Sequence, residues 1–216
     1  MSNKTQAHPK YLLEDGSRVV GVTTVLSVMA KPALKFWANK LGLDGISISK
    51  YVDNLADIGT LCHKMVENYI NNVETDFSDY SPNQRDKADN AFIKFLEWEK
   101  ENEFTPIDSE LRLVSEKYKF GGTCDIYAKL NGKLTLIDLK TSKACYSEQH
   151  TQVAAYSHLL QENGKEVEDV RILRIGRDET EGFEDIKIQA IDLHWRRFKH
   201  CLALYEINKR LKRCDS

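Results

Sequence analysis

The dipeptide Asn131-Gly132 is the feature that most constrains how this chain of 216 residues can fold. Two runs of alternating apolar and polar residues flank it, residues 122–130 before it and residues 133–140 after it. Asn-Gly between two such runs is the strongest short-range signal for a β-hairpin with a two-residue turn. The turn predicts that Leu130 pairs with Lys133, which sets the register of every pair behind them.

This register places two acidic residues side by side. Asp125 on the first strand lies directly opposite Asp138 on the second, and directly opposed Cβ atoms are about 4.5–5.5 Å apart. Two bare carboxylates at roughly 5 Å repel each other by about 3 kcal/mol at an effective dielectric constant near 20. A divalent cation or a shared proton would relieve this repulsion. The alternation also places Lys140 on the same face as Asp138, about 6.6 Å further along the strand.

Two other interpretations of the hairpin stay open. The triplet Asp138-x-Lys140 alone is also typical of a solvated strand face, and Asp185-Ile186-Lys187 is a second such triplet without an opposed acid. A β-bulge within the hairpin would shift the register and separate the two carboxylates. The opposite face of the hairpin is apolar and is expected to pack on helices; it carries Cys124, Ile126, Ala128, Ile137 and Leu139.

The remaining segments indicate a mixed α/β domain. Apolar residues that recur every three to four positions predict helices, and strict alternation predicts strands. Helices surround a three-strand antiparallel meander, and further strands follow, so one domain with a central mixed sheet is expected over residues 1–216, after a loose tail at residues 1–9. Three helices are predicted to begin near Thr23 or Thr24, at Pro32 and after Ser81-Pro82. Three more are predicted over residues 57–71, 148–161 and 193–211. The other predicted strands flank Asp15-Gly16 and cover residues 110–118, 170–175 and 186–191.

Composition narrows the functional class. The 31 basic and 33 acidic residues give a formal net charge of −2. Any binding of nucleic acid must therefore rely on local clusters of basic residues. No uncharged apolar window approaches the length of a membrane span, and the polar N-terminus carries no signal-peptide core, so we expect a cytoplasmic protein. The five cysteines are widely spaced without a C-x-x-C motif, and we expect reduced thiols rather than disulfides or a zinc site.

Five short motifs follow one another in a characteristic order. They are Gly59-x-x-x-His63, Glu110, Gly121-Gly122-x-x-Asp125, Asp138-Leu139-Lys140 and Gln152-x-x-x-Tyr156. In this order the chain resembles the PD-(D/E)XK nuclease superfamily, specifically its RecB-like exonuclease branch. The opening Val22-Thr23-Thr24-Val25-Leu26, with Leu34 and Trp37, is similar to the group formed by the mitochondrial genome maintenance exonuclease and its phage relatives. A bacterial or phage-infected host cell is the origin that this resemblance implies.

The resemblance implies a set of metal ligands. Asp125 and Asp138 would hold the ion together with the backbone carbonyl of Leu139. His63 would complete the set from a helix, and Glu110 would bind a second ion or act through a water molecule. Oxygen ligands with one imidazole suit Mg²⁺ or Mn²⁺, of which one or two ions would bind.

The resemblance also implies roles for the other motif residues. Lys140 would position the attacking water and stabilise charge in the transition state. Gln152 and Tyr156, one helical turn apart, would hold the scissile phosphate or the Lys140 side chain, although a helix surface and a core position are the alternatives. Relatives with an iron–sulfur cluster carry a closely spaced cysteine trio after the core. Only Cys201 and Cys214 follow it here, so no cluster is expected.

Basic clusters predict where DNA would bind. Lysines around an aromatic ring attract phosphates, and the ring can stack on an unpaired base. A solvated face is the alternative for the basic helix at residues 193–213, above all from Lys209 to Arg213. Gly121-Gly122 would allow a close approach of the DNA backbone or form a plain turn. The residues predicted to bind DNA are Lys35, Trp37, Gly121, Gly122, Arg196, Arg197 and Lys199.

These observations predict a metal-dependent DNA exonuclease that acts on free ends and favours single-stranded DNA. Its catalytic core would cover residues 59–160, and proteins of replication or recombination would be its partners. A catalytically silent DNA-binding or scaffold module on the same fold is one alternative, against which the intact Asp125, Asp138 and Lys140 argue. A structure-specific endonuclease or an RNA-directed relative is the other.

Overall fold

The hairpin forms in the register expected from its turn. In the computed structural model, which describes residues 9–29 and 31–215, Leu130 pairs with Lys133 and Ile126 pairs with Ile137. Asn131 and Gly132 have φ angles of 48° and 82°, the positive values that a type I′ turn requires. The paired ladder ends at Ile126 and Ile137, the neighbours of Asp125 and Asp138, so the expected direct pair of these two acids lies just beyond it.

Strands and helices alternate along the described part of the chain, and the helices cover both faces of the sheet, which confirms the predicted α/β class. The predicted tail falls, apart from Pro9, outside the described residues. None of the described helices is long and apolar enough to cross a membrane. The strands are β1 (Tyr11–Leu12), β2 (Arg18–Gly21), β3 (Phe104–Ser115), β4 (Phe120–Leu130), β5 (Lys133–Lys140), β6 (Asp169–Ile175) and β7 (Phe183–Lys187); the helices are α1 (Val22–Leu26), α2 (Pro32–Leu43), α3 (Ile48–Ile70), α4 (Pro82–Lys100), α5 (Ser147–Glu162) and α6 (Ile191–Cys214).

Several boundaries differ from the prediction. Helix α3 begins at Ile48 rather than at residue 57, and β3 begins at Phe104 rather than at residue 110. β7 ends at Lys187, whereas the predicted strand ran from residue 186 to residue 191, because the pairing of β7 with β6 extends from Phe183 to Lys187. Helix α1 begins at Val22, one or two residues before the start predicted near Thr23 or Thr24, and it follows Gly21 without a side-chain cap. By contrast, α4 begins as expected from Ser81-Pro82, since the Ser81 hydroxyl accepts a hydrogen bond from the Gln84 N–H.

The sheet divides at strand β4, because one edge of this strand pairs with two different strands. One edge of β4 pairs with β3 from Leu130 back to Phe120. Its other edge pairs with β2 at Phe120 and Gly121, in parallel, and with β5 from Ile126 onward, antiparallel. Within the described residues, positions 122–125 of β4 therefore have no strand partner at this second edge. We call this opening between β2 and β5 the fork.

The two faces of the sheet bury separate cores. The α3–α4 side buries Ile126 and Ile137, as predicted for the apolar hairpin face. Cys124 was expected on that face, but it lies on the opposite side, where its Sγ is 3.9 Å from the Tyr156 carbonyl oxygen. The alternation of β4 thus changes sides between Cys124 and Ile126, because the strand leaves its regular pairing with β5 at the fork.

Glycines allow close packing around the fork. A Cβ at Gly121 would lie 2.7 Å from Tyr11 Cδ1, and one at Gly122 would lie 2.6 Å from Tyr156 Cε1. These aromatic rings fill the space that a side chain would need. The structure thus accounts for both glycines by internal packing, and their role in DNA binding stays a prediction.

We expect the substitution Gly121→Ala to lower the free energy of unfolding by about 1–3 kcal/mol, because the new methyl group overlaps the Tyr11 ring. Chemical denaturation measures this loss. Gly42→Ala in α2 is the matched control, since nothing lies within 4 Å of its Cβ position. A Gly121→Ala variant as stable as the wild type would contradict the placement of Tyr11 across β4.

Candidate active site

Three acidic residues lie in a row across β3, β4 and β5. The pairs Ser109–Ile126 and Leu111–Cys124 on either side set Glu110 opposite Asp125. Next to the last hairpin pair, Ile126–Ile137, the Asp125 carboxylate accepts a hydrogen bond from the Leu139 N–H and so lies beside Asp138. We call Glu110, Asp125 and Asp138 the acid row. It crosses the sheet at the fork, where β4 leaves one edge open.

The backbone of Glu110 is strained. Its φ angle of 49° lies in the left-handed region, which costs a non-glycine residue roughly 1–2 kcal/mol. Strain of this kind persists where the surrounding structure imposes it, often at functional sites. Here the regular pairs of Ser109 and Leu111 hold Glu110 in place on both sides, so its carboxylate stays beside Asp125.

Helix α3 brings a histidine to the row. A Cβ at Gly59 would lie 2.7 Å from Thr141 Oγ1, so this glycine allows α3 to approach the end of β5. One turn later, His63 Nδ1 lies 3.6 Å from Asp125 Oδ2. One donor atom each from His63, Glu110 and Asp125 lies within 4.8 Å of the others. A cation with bonds of about 2.1–2.4 Å bridges donor atoms at such separations.

Asp138 is the most deeply buried member of the row, with 0% of its surface exposed. The Lys140 ammonium contacts its Oδ2, and among the described residues its oxygens have no other polar partner. Burial raises the pKa of Asp138 to about 7, and the charge of Asp125 adds to this rise, whereas Lys140 opposes it. Asp138 thus faces Lys140 and stands outside the group of three donor atoms.

Lys140 stays protonated beside these acids. Burial alone would lower the pKa of Lys140, but the attraction of Asp138 and Asp125 outweighs it and raises that pKa above its usual value. The neighbouring Leu139 N–H donates a hydrogen bond of 2.8 Å to Asp125 Oδ2. The backbone of Leu139 thus lies at the row, as expected, while ligation by its carbonyl stays a prediction.

Two residues of α5 form a pair beside the fork. Gln152 Nε2 donates a hydrogen bond of 2.8 Å to Tyr156 Oη. Burial raises the pKa of Tyr156 well above 10, and the charge of Asp138 adds to the rise, so the phenol stays neutral. The contact of either residue with a phosphate or with Lys140 stays a prediction.

Glu110 and Asp125 of the acid row line a cleft of ≈ 490 Å³ between α3 and the strands, whereas the buried Asp138 does not line it. Four residues predicted for the site line this cleft: His63, Glu110, Asp125 and Tyr156. Sequence reasoning did not assign Tyr11 to the site, yet its hydroxyl lies 3.0 Å from Thr123 Oγ1 at the cleft wall. The other lining residues are Pro9, Val22, Thr23, Thr60, Lys64, Glu67 and Asn68.

The side chains predicted to bind DNA from the helices lie elsewhere. In the described part of the chain, Lys35 and Trp37 of α2 and the three basic residues of α6 do not line the cleft. Arg196 and Arg197 line a separate depression of ≈ 590 Å³ beside the end of α1, and that depression is larger but carries no acidic side chain among the described residues. Lys199 Nζ lies 5.7 Å from the centre of the Trp195 ring. Their binding role stays a prediction.

Glu110 should make the stability of the metal-free protein depend on pH. Burial raises its pKa from the usual 4.5 to about 8, and repulsion from Asp125 and Glu67 adds to the rise. The stability that protonated Glu110 confers is complete below pH 4.5 and is lost as the pH rises to about 8. In EDTA, Glu110→Gln should therefore melt at a higher temperature than the wild type, by a margin that grows with pH.

Thermal unfolding from about pH 4.5 to about pH 8 measures this margin. Added Mn²⁺ should stabilise the wild type more than the variant, since the variant has lost one carboxylate ligand. Glu103→Gln, at an exposed position, is the control and should show neither effect. A margin that does not change with pH would contradict the placement of Glu110 in the row.

Two solved structures are similar to part of this chain, at low sequence identity. One is a protein from Eubacterium rectale described as a candidate exonuclease, with 13% identity, a TM-score of 0.46, and coverage of 71% of this chain and 65% of that one. The other is SSO0001, with 19% identity, a TM-score of 0.34, and coverage of 69% of this chain and 74% of that one. The chain thus spans less than two thirds of the first structure's length.

A family model gives a broader match. No curated protein matches the sequence. Residues 23–197, however, match the model of the PD-(D/E)XK nuclease superfamily, as the order of motifs predicted. This match runs from α1 into α6 and includes the acid row, His63 and Lys140. With most of its length matched, the chain belongs to the PD-(D/E)XK nuclease superfamily.

Proposed function

We propose that this member of a nuclease superfamily is a metal-dependent DNA exonuclease that acts at free ends and favours single-stranded DNA. One observation carries the proposal: His63, Glu110 and Asp125, from three separate elements, converge beside the buried Asp138–Lys140 pair. A scaffold protein would gain nothing from holding these acids together against their repulsion. Action on DNA ends would place the protein among replication or recombination proteins, in the cytoplasm of a bacterium or a phage-infected host.

The donor set fits a divalent cation. Two carboxylates and one imidazole converge, and the buried oxygens of Asp138 have only Lys140 as a partner among the described residues. Mg²⁺ and Mn²⁺ favour such ligands over thiolates. When bound, one or two such ions supply charge neutralisation at the phosphate and make water more acidic. The residues proposed to hold them are His63, Glu110, Asp125, Asp138 and the carbonyl of Leu139.

Lys140 is proposed to act as a charged donor. Hydrolysis adds the oxygen of a water molecule to phosphorus, breaks the bond from phosphorus to the 3′-oxygen, and returns a proton to that oxygen. Because its pKa is raised by Asp138 and Asp125, Lys140 Nζ is an ammonium. It can donate hydrogen bonds to the attacking water and stabilise negative charge on the phosphate oxygens.

Tyr156 is proposed to hold the scissile phosphate. Its Oη accepts the hydrogen bond from Gln152, so the hydroxyl proton is free to be donated. The residue also lines the cleft beside Asp125. A phosphate oxygen in the cleft could accept that proton, and Gln152 would orient the hydroxyl.

Aromatic rings support a single strand as the substrate. Tyr11 lines the cleft, and Trp37 is 36% exposed in α2. Such rings stack on unpaired bases and have no comparable contact with a closed duplex. Lys35, Arg196, Arg197 and Lys199 would bind phosphates outside the cleft.

The substitution Lys140→Ala should lower the rate of DNA cleavage by at least about 10²-fold, because it removes the charged donor beside Asp138. DNA binding, measured by fluorescence anisotropy, should persist. Lys187→Ala in the second D-x-K triplet is the matched control and should keep its activity. Full activity of Lys140→Ala would refute the assignment of this lysine.

Asp138→Ala should abolish cleavage and tight binding of Mn²⁺, since it removes a proposed ligand from the acid row. Calorimetric titration with Mn²⁺ measures the binding. Because Lys140 loses its buried partner in this variant, Asp138→Asn and a thermal unfolding curve separate a lost ligand from a lost fold. Unchanged Mn²⁺ affinity in both folded variants would rule out Asp138 as a ligand.

The mode of cleavage is tested on gels with linear single-stranded, linear duplex and circular DNA, labelled at either end, in Mg²⁺, Mn²⁺ or EDTA. Metal-dependent loss of linear single strands alone is the expected result, and the label that gives early mononucleotides sets the polarity. Cleavage of circles would indicate an endonuclease, and cleavage of a matched RNA an RNA-directed enzyme. Binding without cleavage in any metal would indicate a DNA-binding module.

A further inference from the structure

A second depression adjoins the cleft and does not include the acid row in its lining. It has a volume of ≈ 280 Å³, and Pro9, Tyr11 and Thr23 line both spaces. Because three residues line both spaces, the two spaces adjoin each other. We call the second one the side groove. Its remaining lining residues are Arg18, Val19, Val20, Gly21, Thr24, Tyr205 and Lys209.

The side groove combines positive charge with an aromatic ring. Arg18 comes from β2, while Tyr205 and Lys209 come from α6, and both cations are exposed. No acidic side chain lines the groove within the described residues. Asp15 and Glu206 line a neighbouring depression that Arg18 and Lys209 also border. Lys209 Nζ lies 3.9 Å from Glu206 Oε1 in an exposed pair, and pairs of this kind contribute little. Lys209 is therefore available to a phosphate.

The distance between the side groove and the acid row is long enough for each to contact a different nucleotide of one strand. Tyr11, which lines both spaces, crosses β4 at Gly121, and Asp125 follows four residues later in the same strand. Four residues of a strand span about 13 Å. A nucleic-acid strand in the groove would thus present phosphates other than the one at the acid row.

We propose that the side groove binds the uncleaved part of the substrate strand. Arg18 and Lys209 would contact its backbone phosphates, and Tyr205 would stack on an unpaired base. This inference rests on the proposed function, because it takes the strand end to be in the cleft. The proposal gives a binding role to Lys209 but not to the other basic residues up to Arg213. For that stretch a solvated helix face was the alternative.

The groove should contribute to affinity for long strands and not to the chemical step. Substitutions at Arg18 or Lys209 should raise KM for an oligonucleotide and leave kcat nearly unchanged. A small aryl phosphodiester of thymidine 5′-phosphate reaches only the cleft, so its hydrolysis should be the same in wild type and variants.

The direct test is binding of a labelled oligothymidylate in EDTA, measured by anisotropy at several salt concentrations. Each phosphate contact that is lost should reduce the slope of log K against log salt by about 0.7 for a single strand. Arg18→Ala and Lys209→Ala should each show this reduction. Tyr205→Leu should lower affinity about fivefold or more without a change of slope. Arg210→Ala, on the same helix but outside the groove, should keep the wild-type slope.

The outcomes separate this proposal from the proposed function. Reduced slopes in Arg18→Ala and Lys209→Ala, with a normal Arg210→Ala, support the groove even if no DNA is ever cleaved. Wild-type slopes in both groove variants overturn it, even if cleavage is normal. An equal reduction of the slope in Arg210→Ala overturns it as well, since the effect would then come from the overall positive charge of the helix and not from the groove. Failure of the wild type to bind the oligothymidylate would overturn it too.

Discussion

Repulsion within the acid row is the constraint on which the rest of the structure depends. The pairing of β3 with β4 holds Glu110 beside Asp125, and the hydrogen bond from the Leu139 N–H holds the Asp125 carboxylate beside Asp138. Protonation, the Lys140 ammonium or a cation must therefore offset their charge. The pKa values of about 7 for Asp138 and about 8 for Glu110 reflect the first of these, with burial as the main cause.

The fork makes this charged row accessible. A continuous pairing of β4 with β5 would cover the edge of β4 beside Asp125. Instead β2 takes the beginning of that edge, and the rings of Tyr11 and Tyr156 pack over the glycines at the opening. Helix α3 closes the other side with His63. One irregularity of the sheet thus provides a buried charge cluster, a cleft and an approach for a substrate.

The parts of this site that local signals define were predictable from the sequence. The Asn131-Gly132 turn sets the register that brings Asp125 to Asp138, and alternation places Lys140 beside Asp138. Pairing between distant segments leaves no such signal, so the parallel contact of β2 with β4 and the arrival of Tyr11 at the cleft were missed. The reversed face of Cys124 follows from the same fork. The left-handed backbone of Glu110 is imposed by its neighbours and contradicts its own preference.

The most direct test of the account is anomalous diffraction from crystals soaked with Mn²⁺. We expect a peak among the donor atoms of His63, Glu110 and Asp125, and we expect it to disappear in Asp125→Asn crystals of the same form. A cation there would show that the acid row is held together as a metal site. No peak at these residues in the wild type, or an equal peak in Asp125→Asn, would contradict the account.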